Sequence, residues 1–443
     1  MNQVVILAGG HGNRMKAAIP KPMLQVLDVP MLGWVIRACE GAGLSRICVV
    51  TGYKAQYVEL YLGDRYRTAL QAEQLGTGHA VMQAEKFMKE FTDGNTLVLC
   101  GDAPFMDSET IANALKLHEA QENAVTVITA NLEQPKGYGR ILRTETGIAA
   151  IVEEKDATEA QREIHEVNSG AYWFKTKALL ELLGGLSQSN AQGEYYLTDT
   201  VGLALERGWK ASAYRSENPD VILGANTRKD LLHLNKVAQE RVLDKHMENG
   251  VNFVSTDGII IGNDVEIGAE TTILPGTILR GKTKIGAKCT IGPNCLIEDC
   301  RIGDHVTLNY VQAFESEIED AVKAGPFVHI RPNSHLKNGV KIGDFVEVKN
   351  STVGEQTAIA HLTYVGDSDV GKKVNFGCGT VTVNYDGLKK QRCVIGDNCF
   401  IGCNTNLIAP VHIPPQVLPS PRTCRIMPWL WSVQTSRSRK ATA

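Results

Sequence analysis

A glycine-rich run, Leu7-Ala8-Gly9-Gly10-His11-Gly12-Asn13-Arg14-Met15, follows the aliphatic residues Val4–Ile6, and Pro20-Lys21 comes shortly after. Small residues let backbone N–H groups approach phosphate oxygens, and Arg14 and Lys21 can neutralise the charge on them. No Gly-Lys-Ser/Thr ends the loop, so it is not a Walker A sequence, and a plain tight turn is the alternative reading. A second Gly/Thr loop runs from Gln71 through Gly76 and Thr77 to Ala80. In Leu97-Val98-Leu99-Cys100-Gly101-Asp102-Ala103-Pro104 an aspartate stands at a strand end, where it can bind a hard cation or serve as a turn or cap residue.

Positioning such groups is the work of the surrounding elements. Up to about residue 226, short aliphatic runs (Val4–Leu7, Ile47–Val50, Thr96–Leu99, Val125–Ala130) alternate with helix-like stretches (Met31–Ala42, Ser108–Ala120, Leu179–Leu183). That alternation predicts an open, mostly parallel α/β sheet of Rossmann-like type, with ligand-carrying loops at the carboxyl ends of its strands. Residues 227–248 contain no Gly or Pro, and Leu231, Leu234, Val237, Ala238, Val242 and Met247 recur near helical period, so one long connecting helix is expected, ending at Gly250.

The remainder repeats every six residues. Ile261, Ile267, Ile273, Leu279, Ile285, Ile291 and Ile297 are in register, with Gly at 262, 268, 286 and 292. With roughly a quarter of residues Ile, Leu or Val, seven such hits have odds on the order of one in ten thousand. The register slips and resumes at Ile342/Val348, Ile359/Val365 and Ile395/Ile401/Leu407/Ile413. A six-residue period is too short for a helical solenoid and fits a β-helix with three strands per coil. The polar segment 361–390 breaks the repeat and is a candidate functional loop. The organisation expected is therefore an α/β domain over 1–226, a linker helix over 227–250, a β-helix over 251–413, and a tail over 414–443.

Composition agrees with folded domains. The 443 residues are 43% hydrophobic and 21% charged, with a net charge of −3, which gives no reason to expect a nucleic-acid or anionic-membrane surface. The longest apolar runs fall well short of a membrane span, the Val4–Ala8 stretch is too short for a signal peptide, and a cytoplasmic enzyme is expected. Eleven cysteines include no CxxC pair and no His cluster that would complete a zinc site, so they read as reduced thiols. Cys289 and Cys295 would occupy equivalent places in successive strands.

The order of the motifs carries a resemblance. LAGGxGxRM…PK, QAEQLGTGHA, GDxP, GYGRI (Gly137–Ile141), IVEEKDAT (Ile151–Thr158), VNSG (Val167–Gly170), NAQGEYYLTD (Asn190–Asp199) and GANTR (Gly224–Arg228) precede a hexapeptide β-helix containing VEVKNS, HLTYVGD, NFGCGT and VNYDG. Over residues 1–413 the chain resembles the bifunctional N-acetylglucosamine-1-phosphate uridyltransferase/glucosamine-1-phosphate acetyltransferase family of bacterial cell-wall precursor synthesis. The resemblance implies that Leu7, Ala8, Gly9, Gly10, Lys21, Gln71, Gly76 and Thr77 hold UTP, with Gly101 beside it. Gly139, Glu153 and Asn168 would hold N-acetylglucosamine-1-phosphate, and Asp102 and Asn226 would bind Mg²⁺, with Asn226 also near the substrate. In-line attack on the α-phosphate needs positioning and charge neutralisation, for which Mg²⁺, Arg14 and Lys21 suffice. Gly9, Asn13 and Cys100 replace the family's usual Ala, Thr and Tyr, which bears on affinity rather than chemistry.

For the β-helix, the resemblance implies a left-handed coil, a homotrimer and transfer of an acetyl group from acetyl-CoA to glucosamine-1-phosphate. His361 would be the general base, and imidazole has a suitable unperturbed pKa for that task. Arg331 and Lys349 would bind the sugar phosphate, and Tyr364, Asn375, Asn384 and Tyr385 would surround the sugar. Cys378 and Cys403 would line the acetyl-CoA site. Two other readings are a uridylyltransferase whose β-helix serves only assembly or regulation, and a non-catalytic regulatory subunit. Retention of Lys21, Asp102, Asn226 and His361 argues against the latter. After Ile413 the family pattern stops: the chain reads PPQVLPSPRTCRIMPWLW, and suitable codons shifted by one base encode AAGITITEDVPDNALAV instead. A frameshift near codon 414 and an aberrant, disordered tail are expected, with a divergent functional tail as the alternative reading.

Overall fold

The computed structural model describes residues 1–417 apart from Thr146, so the tail expectation beyond residue 417 lies outside the described residues. The chain divides into two compact units, Met1–Val242 and a second from Leu243 onward.

The first unit is built on a nine-stranded sheet. Its strands are β1 (Gln3–Leu7), β2 (Ile47–Thr51), β3 (Arg67–Leu70), β4 (Asn95–Cys100), β5 (Val125–Asn131), β6 (Arg140–Thr144), β7 (Gly147–Val152), β8 (Glu166–Lys175) and β9 (Ala211–Arg215). The spatial order is β9-β5-β8-β4-β1-β2-β3, with the β6/β7 hairpin attached to β8. β1, β2, β3 and β4 are mutually parallel, as are β5 and β9, whereas β8 runs antiparallel to both β4 and β5. The sheet is thus mostly parallel, as expected, with one reversed strand. Helices cover both faces, which is why β1 is apolar at consecutive positions. Val4 and Ile6 pack with Leu32 and Val35 of the helix Met31–Gly41, while Val5 packs with Val81, Leu179 and Leu182 on the other face.

The long helix expected after residue 226 spans Arg228–Glu248. Leu234 and Ala238 are buried against Met15, Leu24, Met31 and Phe105. Met247 is exposed, so the apolar stripe read from the sequence stops short of it.

The second unit is a parallel β-helix. Stack residues pair from coil to coil: Ile261 with Leu279 and Leu279 with Ile297 on one face, Ile267 with Ile285 on the next, Ile273 with Ile291 on the third. The slip in the sequence is no break in the fold. Ile297 pairs with Ala313, Ile302 with Ile318 and Leu308 with Ala324, because coils of 17 or 16 residues drop one or two residues at the corners. The inward neighbour two positions before a stack residue is aliphatic at many coils, as at Ile259, Val265, Val306 and Val322, and small at others: Thr271, Thr283, Cys289, Cys295, Cys300, Ser316, Thr357, Cys393 and Cys399 are all buried. The small ones face backbone at the corners. Thr271 Oγ1 donates to the carbonyl of Gly286 at 2.8 Å and Cys289 Sγ to that of Gly303 at 3.1 Å. The equivalence of Cys289 and Cys295 follows from this, and burial raises the pKa of both thiols.

The expectation of a 30-residue functional loop needs correction. Val370 and Phe376 continue the stacks, pairing with Val353 and Ile359, and His361 lies inside the nine-residue strand Ala358–Gly366. Among the described residues only the coil from Val370 to Ile395 is long, at 25 residues, and its excess is the loop from Asn384 to Arg392. A phenylalanine and a buried Thr382 at stack positions hid the repeat. At the other end the ladder passes Ile413: Phe400 N donates to the carbonyl of Val417 at 2.8 Å, and Cys399 Sγ to that of Pro414 at 3.1 Å.

Candidate active sites

In the first unit the carboxyl ends of β1 and β4 open into a cleft lined by Leu7, Gly9, Gly10, Lys21, Gln71, Gly76, Thr77 and Asp102, with Pro22, Gln74, Ala80, Cys100 and Glu194 completing it. Two tight approaches shape it. A Cβ on Gly76 (φ +107) would lie 2.6 Å from the carbonyl of Tyr195, so this turn needs glycine. A Cβ on Gly9 would lie 2.9 Å from Gln71 Oε1, whose amide Nε2 donates to the carbonyl of Gly76 at 3.1 Å. An alanine at position 9 would therefore move Gln71 and, through it, the second loop.

Leu7, Thr77, Cys100 and Asp102 also line an adjoining cleft, which contains Gly139, Glu153, Asn168 and Asn226. Asn168 sits at a bulge in β8: its Nδ2 donates to Tyr172 Oη at 2.6 Å, and its Oδ1 accepts from Gly170 N at 2.9 Å. Glu153 Oε1 accepts from Thr198 Oγ1 at 3.3 Å, and burial raises the Glu153 pKa above the usual carboxylate value. Burial likewise pushes the Cys100 thiol up to about 12, so it lines the cleft as a neutral group. Tyr172 and Thr198 were not identified from sequence; Thr198 stood inside a quoted motif, but nothing local marks Tyr172 as the support for Asn168.

Lys21 sits between the two clefts. Flanked by Pro20 and Pro22, it opens a short 3₁₀ turn, and its ammonium contacts both Asp102 Oδ2 and Asn226 Oδ1, the latter at 2.8 Å. Asn226 is placed by the start of the long helix, where its N–H donates to Asp230 Oδ2 at 2.9 Å. Three expected residues are not themselves among those lining the two clefts. Ala8 is buried with its N–H on the carbonyl of Val50, Gly101 donates its N–H to the carbonyl of Leu7, and Arg14 lies on an exposed turn outside both linings.

In the β-helix, successive coils bring together residues far apart in sequence. Lys349 pairs with Gly366 and Glu347 with Tyr364, while Arg331 N donates to the carbonyl of Val348. Arg331 also forms an ion pair with Glu347 at 2.8 Å. The organiser here is Asp367, which sequence reasoning missed. Its buried carboxylate accepts from Asn350 Nδ2 at 2.5 Å and from Asn384 Nδ2, with Lys349 Nζ 3.6 Å away. Burial opposes its charge, but these donors and Lys349 outweigh it and hold the pKa below the usual carboxylate range. Asn384 also donates to Tyr364 Oη at 3.3 Å. Lys390, on the protruding loop, has its pKa lowered by the neighbouring Lys349, so two ammonium groups are gathered at one spot.

His361 is exposed in register with Asp344, three residues before Tyr364. Cys378 and Cys403 occupy the corresponding corner of the next two coils: Gly379 N bonds the carbonyl of Leu362, and Asn404 N that of Cys378. Both thiols are exposed, unlike the buried cysteines of the stacks. Asn375 lies one strand over, paired with Ala358, and Tyr385 is exposed on the loop with its Oη donating to the carbonyl of Gly387.

An α/β sheet with a Gly/Lys/Asp cleft at its strand ends, followed by a β-helix with its own cationic site, defines a nucleotidyltransferase fused to a hexapeptide-repeat unit. A family model described as nucleotidyl transferase matches residues 3–221. The chain is 46% identical over 410 residues to the "Bifunctional protein GlmU" of Acetivibrio thermocellus, covering 92% of this chain and 89% of that one. It is 48% identical to the protein of that name from Thermoanaerobacter pseudethanolicus, with the same coverage, and 44% identical to that of Streptococcus agalactiae, covering 93% and 90%. The chain belongs to the bifunctional GlmU family, the uridyltransferase/acetyltransferase enzymes that make UDP-N-acetylglucosamine.

Proposed function

We propose that the two activities are carried by the two sites just described, one on each unit. The observation that carries this reading is the convergence of Lys21, Asp102 and Asn226 where the two clefts of the first unit meet. UTP fits the cleft of the two Gly loops, with Lys21 and the more distant Arg14 neutralising its phosphates, and N-acetylglucosamine-1-phosphate fits the cleft of Gly139, Glu153 and Asn168. The sugar-phosphate oxygen then attacks the α-phosphorus in line, the bond to the β-phosphate oxygen breaks, and pyrophosphate leaves. Asp102 Oδ2 and Asn226 Oδ1 already converge on one cationic nitrogen, so this hard-oxygen pair fits Mg²⁺, which takes one or two protein ligands alongside substrate phosphates. When bound there, Mg²⁺ would offset charge on the reacting phosphates.

In the β-helix, Arg331 and Lys349, joined by Lys390, fit the phosphate of glucosamine-1-phosphate, with Tyr364, Asn375, Asn384 and Tyr385 around the sugar. His361 takes the proton from the amine as nitrogen attacks the thioester carbonyl, and coenzyme A leaves as the thiol. Cys378 and Cys403 line the acetyl-CoA side as walls. A homotrimer accords with an exposed ladder at one corner of the β-helix: Tyr310, Phe327, Phe345 and Leu362 are 39%, 54%, 60% and 60% exposed, with the Phe327 and Phe345 rings stacked at 5.3 Å. All four have φ between +40° and +58°, an unfavourable backbone for bulky residues. UTP and acetyl-CoA as substrates agree with action in the cytoplasm.

The test is to supply the purified chain with UTP, Mg²⁺ and N-acetylglucosamine-1-phosphate and measure pyrophosphate, and separately with acetyl-CoA and glucosamine-1-phosphate and measure free thiol. Pyrophosphate that requires both substrates supports the first assignment, and its absence from folded protein refutes it.

A further inference from the structure

We infer that Lys21 is a built-in counter-ion for the divalent-cation site, so that the metal binds Asp102 and Asn226 only as the Lys21 ammonium moves off them. The inference rests on the proposal that these two residues are the metal's oxygen donors.

The geometry is a competition for the same atoms. Lys21 Nζ pairs with Asp102 Oδ2 and donates to Asn226 Oδ1 at 2.8 Å. A divalent ion held by those oxygens would stand within a few ångströms of the ammonium, and like charges so close repel strongly in a partly desolvated site. The Lys21 and Asp102 side chains are 13% and 28% exposed while Asn226 beside them is exposed, so water screens the repulsion only in part. One partner must leave.

The backbone decides which. Asn226 is tied through its N–H to Asp230, and Asp102 follows β4 directly. Lys21 lies between two prolines, which fixes its Cα but leaves its long side chain free to swing. The direction open to it is the nucleotide cleft, which Lys21 also lines. An anionic phosphate there gives the ammonium a second partner, and by linkage whatever draws Lys21 into the cleft raises metal affinity by the same factor that metal raises affinity for the anion. One lysine thereby makes nucleotide and metal binding mutually supportive and keeps the carboxylate neutralised otherwise.

The experiment is a titration of the full-length protein with Mn²⁺ alone, followed by electron paramagnetic resonance of the free ion, without nucleotide or sugar. Wild type, Lys21→Met, Lys21→Gln, Asp102→Asn and the Lys21→Met/Asp102→Asn double variant are compared, each checked for wild-type-like unfolding. Both Lys21 variants should bind Mn²⁺ at least about tenfold more tightly than wild type, and the gain should vanish in the double variant. Unchanged or weaker Mn²⁺ binding in both Lys21 variants, with binding still dependent on Asp102, would overturn the counter-ion role and leave the metal site standing. Binding indifferent to Asp102→Asn would overturn the metal assignment itself.

Discussion

Thr227 and Asp230 cap each other at the start of the long helix: Thr227 N donates to Asp230 Oδ2 at 2.8 Å, and Asp230 N donates to Thr227 Oγ1 at 3.2 Å. The same carboxylate takes the N–H of Asn226, so the first turn of the helix holds a residue assigned to the metal. Asp230→Ala should cost about 1 kcal/mol of stability, in the usual range for a lost cap. It should also raise the Mg²⁺ concentration needed for half-maximal pyrophosphate release. Thermal unfolding and a Mg²⁺ titration check the two effects separately, and a stability loss with an unchanged Mg²⁺ requirement would detach the cap from the site.

Glu153 gives a pH-dependent prediction. Its folded pKa is raised by burial, so folding disfavours its charged form, and stability falls as pH rises from the unfolded value of 4.5 through the raised folded value. Glu153→Gln removes that penalty. The variant should be more stable than wild type at neutral pH, with the difference disappearing below about pH 4.5, while KM for N-acetylglucosamine-1-phosphate rises at least about tenfold. Denaturant unfolding at several pH values, with kinetics at one, decides it.

Asp367 has the opposite sign. Its folded pKa is depressed, so its stabilisation is present above the ordinary carboxyl value of 3.8 and is lost as pH falls below that through the folded value. Asp367→Asn should cost about 2 kcal/mol at neutral pH, the scale of hydrogen bonds to a charged group. It should also loosen Asn384 and Lys349, reducing acetyl transfer while sparing uridylyl transfer. Wild-type acetyl transfer in this variant would deny Asp367 its organising role.

The end of the β-helix carries a further prediction. Residues 414–417 still follow the coil, but Ile408, Phe400 and Val417 are 69%, 40% and 39% exposed there. Replacing residues 414–443 with the continuation in the shifted frame should raise acetyl transfer and trimer content together, because the last coils gain a cover. Pyrophosphate release should not change. Equal acetyl transfer and equal sedimentation before and after replacement would show the tail to be without consequence.

What could be read from the sequence was whatever repeats or clusters locally. The hexad from Ile261 to Ile297 announced the coil because each hit is aliphatic and evenly spaced. It faded where Ala313, Ala324 and Thr382 fill stack positions, since small or polar residues there carry no hydropathy signal. The phosphate-type loop was legible because its glycines and Lys21 lie within a few residues of one another. Asp367, Lys390 and Tyr172 were not, since their roles arise from contacts across coils or across a sheet bulge. Arg14 was read as a neighbour of the phosphates from its place in a motif, and it stands exposed on the turn that follows the glycine run.

If two separate sites in one chain perform the two reactions, each can be disabled alone. The decisive assay follows pyrophosphate release and coenzyme A release side by side in wild type, Asp102→Ala and His361→Ala proteins that unfold alike. Asp102→Ala should lose uridylyl transfer by at least about a hundredfold and keep acetyl transfer, and His361→Ala should do the reverse. Loss of both activities from either folded variant, or loss of neither, would contradict the two-site assignment.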